Sequence, residues 1–134
     1  MSSAPAFTDS ELLHRQVHPN FVVAGRVSSQ AFCPTAKDQN RLSVDRGSSA
    51  SAEAAFRRYC AEGHKSAGVW SVTVGECSSL ELPVAADPIT DVTAPNPAHA
   101  YVDFAATTSK QTKSKAQILA RLANDRGIQH AASE

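Results

Sequence analysis

The chain has few of the residues that build thick cores. Of its 134 residues, Leu, Ile, Val and Phe together supply 26, aromatics make up 6%, and there is one Trp and one Met. Alanine, with 23 copies, accounts for much of the 42% apolar content. That poverty borders on the composition of disordered chains, but disorder also needs a high net charge. Here 13 basic residues balance 13 acidic ones. A compact domain with a thin core is therefore expected, and 134 residues can close one core without disulfide staples.

Other absences narrow the function. Without a basic excess, a nucleic-acid binder with a uniformly positive surface is excluded, so any polyanion contact has to be local. No apolar run approaches the roughly 18 residues that span a bilayer. Met1 to Ser10 lacks the basic start and apolar block of a secretory signal. The cytosol is the expected compartment, with no membrane contact. Cys33, Cys60 and Cys77 are too few and too far apart for a closed disulfide set or a zinc-type pair, and reduced structural thiols fit that compartment. Cys33, before Pro34, reads as the most exposed of them. No Walker loop, Gly-x-Gly-x-x-Gly turn or Gly-x-Ser-x-Gly elbow occurs. His14 and His18 have the spacing of a helical metal pair, but Pro19 spoils the helix, so no metal is expected.

What is present reads as an α+β fold in a single compact domain, with a small, mostly antiparallel sheet and two main helices at 52–62 and 110–126. Residues 1–10 read as a flexible arm, 11–127 as the domain and 128–134 as a tail. In the first helix Ala52, Ala55, Phe56, Tyr59 and Cys60 form one apolar stripe that ends at Gly63. In the last, Ser109 is the expected cap and Ile118, Leu119, Leu122 and Ala123 the buried stripe, with Gly127 as the stop. Residues 68–74 and 98–104 alternate as strands, 42–44 is a shorter one, and 12–17 is a strand or a helix end. Val22 to Phe32 suits a hairpin turning at Gly25-Arg26, and four prolines interrupt residues 83–97. If the 68–74 alternation continues, Glu76 shares the face of Trp70, Val72 and Val74.

Neutrality is a sum of unlike regions. Residues 61–108 carry one Lys against six carboxylates, whereas 109–134 carry five cations against two. Either the basic helix lies solvated against an acidic neighbour, or it leaves a face for a partner. Lys110, Lys113, Lys115 and Arg121 are then the candidate contacts, for a protein or for local nucleic-acid binding.

One order of residues resembles an enzyme family. Arg15 on an early strand, Ser43 before a loop and helix, and Glu76 at a later strand end are similar to the Arg-Ser-Glu arrangement of ADP-ribosyltransferase-like domains. The resemblance implies NAD as cofactor, with Arg15 on a phosphate, Ser43 shaping the pocket and Glu76 stabilising charge on the ribose. In the same resemblance His14 is the alternative to Arg15 in its role, and Tyr59 would stack on nicotinamide. The run from His18 to Phe32, with Leu42-Ser43-Val44, also resembles short bacterial proteins of no assigned activity. Two readings follow: a cofactor-free intracellular domain that binds another macromolecule through the 18–47 region or the last helix, and an NAD-using transferase.

Overall fold

In the computed structural model, which describes residues 6–132, alternation dominates wherever the apolar residues are β-branched. The long strands are β1 (Leu12–Val17), β4 (Arg41–Arg46), β5 (Gly68–Thr73) and β7 (His99–Asp103). Shorter ones are β2 (Val22–Val23), β3 (Arg26–Val27), β6 (Val84–Ala86) and β8 (His130–Ala131). Six of them form a sheet in the order β6-β7-β4-β1-β5-β8, and every adjacent pair is antiparallel. Helices α1 (Ala52–Ala61), α2 (Val74–Ser79) and α3 (Ser109–Arg126) complete a single α+β domain. The β2–β3 hairpin turns at Ala24 and Gly25, both at positive φ, as a two-residue type I′ turn requires.

Register assigns the faces. Leu13 stands opposite Val72, Leu42 opposite Val102 and Val44 opposite Ala100. These side chains, with Val17 and Trp70, are buried against Ala116, Leu119, Ala120 and Ala123 of α3 and against Ala31 and Phe32. Each buried large side chain contributes about 1.5–3 kcal/mol, so this face supplies most of the thin core. The expected α3 stripe shifts slightly: Ala116 and Ala120 are buried, while Ile118 and Leu122 are half-buried. Small alanines at 116, 120 and 123 let α3 approach the sheet closely. On the opposite face α1 packs chiefly on β1, β5 and β8. The half made by β4 and β7 keeps Ser43 exposed and His99 and Tyr101 half-buried.

Several expectations are corrected. The alternation of β5 stops at Thr73, whose hydroxyl accepts the Glu76 N–H while the Glu76 carboxylate accepts the Thr73 N–H. That capping box turns Val74 to Ser79 into helix and removes Glu76 from the strand face. Thr108, not Ser109, caps α3 through the same device with Gln111. Residues 1–5 of the expected arm lie outside the described residues, but Phe7 is fixed, its ring 3.8 Å from the Arg46 guanidinium carbon. The expected tail supplies edge strand β8 instead, because Gln129 donates to Val69 O and His130 stacks on Phe56. Cys60, not Cys33, is the exposed thiol.

A buried ion pair closes one end of the sheet. Arg46, 1% exposed, donates from Nε and Nη2 to both oxygens of Glu11 at 2.8 Å, and Ser48 adds a third bond. The Arg46 guanidinium, with Ser48 beside it, holds the Glu11 carboxyl below its usual range against the upward pull of burial. A depressed carboxylate stabilises the fold above its ordinary titration range and loses that contribution as pH falls through the folded value. Removing one partner of a buried pair costs about 3–5 kcal/mol. Urea unfolding of Glu11→Gln at pH 7 is expected to show a loss of that order, shrinking toward pH 3; a loss independent of pH would contradict the assignment.

Candidate functional site

The functional candidates gather where the sheet is split. β1 pairs with β5 along its whole length, but with β4 only at Leu13↔Arg46 and His14↔Asp45. Beyond that point the two strands part. Arg15 lies at the parting: its Nε donates to Ala31 O at 2.8 Å and its Nη1 to Ser43 O at 2.9 Å, so the guanidinium replaces the missing rungs of the ladder.

Over the split opens a cleft of 320 Å³, within the roughly 300–1,000 Å³ of small-ligand sites. Its lining includes His14, Arg15, Gln16, Ser43 and Asp45 from the strands, Arg58, Tyr59 and Glu62 from the end of α1, and His18 and Phe21. The far wall is Ile89, Asn96 and His99, from the proline-interrupted segment and the start of β7. A second hollow of 240 Å³, lined among others by Lys37, Asp38, Arg41 and Tyr101, shares Ser43 and His99 with the first. Together they make one groove across the uncovered half of the sheet. A wider depression of 500 Å³ beside Thr8 and Ser48 offers as charged group only Glu11, which Arg46 already holds.

The electrostatics of the cleft are largely internally balanced. Asp45, 3% exposed, accepts from Asn96 Nδ2 at 2.8 Å and from Arg58 Nη2 at 3.0 Å, and Arg58 Nη1 reaches Glu62 at 2.9 Å. Arg15 differs: it forms no salt bridge among the described residues, whereas Arg46, Arg57, Arg58 and Arg126 each do. Burial pulls its pKa down, opposed by Tyr59 and Asp38, but an arginine stays charged. Burial also lowers the His14 pKa against the charge of Asp45, so its ring is neutral at pH 7. His14 Nδ1 shares a 2.8 Å hydrogen bond with Ser71 Oγ. Ser71, His14 and Asp45 resemble a hydrolase triad in composition, yet Ser71 is 0% exposed and no substrate reaches it.

The proposed Arg-Ser-Glu set does not assemble. Arg15 and Ser43 meet in the cleft, and His14 and Tyr59 line it, as NAD contacts would require. Glu76 lies elsewhere, gripped by Arg126 at 3.1 and 2.8 Å. Burial raises the Glu76 carboxyl, but the bonds from Arg126 and Thr73 outweigh it and hold it below the usual carboxylate range. That engagement makes it a structural charge. Burial pushes the Cys77 thiol up to about 12 and raises Cys33, so neither is an activated nucleophile. Among the described residues no group of three or more His, Cys, Asp and Glu is placed to hold a metal ion.

On α3, Lys110, Lys113 and Arg121 are exposed and Lys115 is half-buried, and none forms an ion pair among the described residues. The acidic middle segment neutralises this helix at one point, Glu76–Arg126. No described helix is long and apolar enough to cross a membrane. Sequence reasoning named His14, Arg15, Ser43 and Tyr59 but missed Asp45, Arg58, Asn96 and His99, which only strand register brings together. No family model, curated protein or solved structure matches the chain.

A structural Glu76 has a measurable signature. Glu76→Gln keeps a capping side chain and loses only the ion pair, an expected cost of about 1 kcal/mol at most, whereas Glu76→Ala also loses the cap, for about 1–2 kcal/mol. Neither variant is expected to move the NMR resonances of His18 or His99, whereas His14 is linked to Arg126 through Ser71; displaced His18 or His99 signals would place Glu76 in the cleft after all.

Proposed function

We propose that this domain binds another macromolecule, a polypeptide, through the groove across the bare half of its sheet, and that it is not an enzyme. The observation that carries this reading is the uncovered surface of β4 and β7, which continues from the split-sheet cleft past Ser43 and His99 to Arg41 and Tyr101. A sheet face left bare by its own helices, rimmed by aromatic and hydrogen-bonding side chains, suits a chain laid along it.

Charge decides the class of partner. Asp38, Asp45, Glu62 and Asp87 line the groove beside Lys37, Arg41 and Arg58. A polyphosphate backbone would meet those carboxylates at close range, while a polypeptide can match both signs. The three free cysteines accord with a reducing, cytosolic setting. Against the NAD-using transferase stands the engagement of Glu76 by Arg126 outside the cleft. A nucleic-acid contact through Lys110, Lys113 and Arg121 is the competing surface, and it enters the test below.

A displayed library of short random peptides, selected on the wild-type domain, separates these surfaces. Peptides that enrich are expected to lose at least about tenfold in affinity against Ser43→Trp, which fills the groove at an exposed strand position. They are expected to keep their affinity for Lys110→Glu/Lys113→Glu/Arg121→Glu. Dependence on the helix variant with indifference to Ser43→Trp would move the site to α3, and enrichment of no peptide would sink the groove reading.

A further inference from the structure

Resting on that reading, we infer that Arg15 is an oxyanion anchor and that the polypeptide laid in the groove seats one carboxylate on the Arg15 guanidinium. Arginines that serve only architecture are neutralised in this fold, as Arg46 and Arg58 are. Arg15 is half-buried, lines the cleft and has no carboxylate partner among the described residues. Its two protein acceptors are main-chain carbonyls, which orient the fork without cancelling its charge. Nη2 has no acceptor among the described residues and is not sealed from solvent.

A sheltered charge without a counter-ion is costly unless a ligand supplies one. A guanidinium offers carboxylates and phosphates a planar fork that fits a two-oxygen group. In the split-sheet cleft Arg58 is paired and Arg15 is the arginine left without a carboxylate among the described residues, which suits a single carboxylate better than a run of phosphates.

NMR titration of the wild-type domain, following the Arg15 Nε–H signal, tests this with defined probes: acetate, inorganic phosphate, a Gly/Ser decapeptide with one central Glu, and its counterpart with Gln at that position. Acetate and the Glu peptide are expected to shift that signal saturably, the Glu peptide binding at least about tenfold more tightly than the Gln one. Arg15→Lys is expected to retain part of this preference and Arg15→Gln to abolish it. Because Arg15 also bridges strands, Ser43→Trp serves as a second variant that leaves the guanidinium in place and is expected to block both acetate and peptide. Equal binding of the two peptides, or anion shifts confined to the α3 lysines, would overturn the anchor while leaving a groove for polypeptides. Saturable acetate or phosphate binding with neither peptide bound would overturn the polypeptide reading and leave a small-oxyanion site. A single-stranded oligonucleotide that outcompetes the Glu peptide at Arg15 would overturn the choice of partner.

Discussion

The buried pair of Glu11 with Arg46 is the clasp on which the sheet depends. Strands β1 and β4 meet at only two residue pairs, and both adjoin this ion pair. Around it the main chain is drawn in as well: Gly47 N–H bonds Leu12 O, Val74 N–H bonds Glu11 O and Gly75 N–H bonds Asp9 O. Gly47 is required there, since a Cβ would stand 2.7 Å from Leu12 O. A charged clasp inside a thin core is not the strongest fastening in energetic terms. It does fix register, because only one pairing of β1 with β4 brings Glu11 to Arg46.

The closed end and the open end of the β1–β4 junction are parts of one arrangement. Where the clasp holds, the strands pair; past His14 and Asp45 they part, and Arg15 spans the gap between Ala31 and Ser43. The same register that buries Leu13 and Val17 on the α3 side turns His14 and Gln16 toward the cleft. Helix α1 is only ten residues long, too short to cover the whole of its face, and so the groove remains. Core, clasp and groove therefore follow from one strand's alternation and one helix's brevity.

Much of the architecture was legible in the chain. Alternation at 68–73 and 99–103 and the helical stripe after Ser51 identify their elements directly, and the two long helices end close to Gly63 and Gly127. The misassignment at Glu76 arose because a period-2 pattern and a Thr-x-x-Glu capping box overlap, and the cap prevails once the strand has run its length. The C-terminal strand escaped notice because two residues carry no period at all. In the site, Arg15, Ser43, His14 and Tyr59 stood out as residue types, but the Asn96–Asp45–Arg58 network links positions 51 and 13 residues apart, which no local spacing announces. The cations of α3 were visible from the start, and their lack of partners was not.

Main-chain acceptors give Arg15 an unusual tolerance to sequence change. Ala31 and Ser43 hold it through carbonyls, so substitution of either side chain leaves the anchor points in place. On the reading proposed above, the groove can therefore vary its walls, and with them the sequences it prefers, while the charge between the parted strands keeps its position. Specificity and anchoring are then separable, and each can drift without dragging the other along.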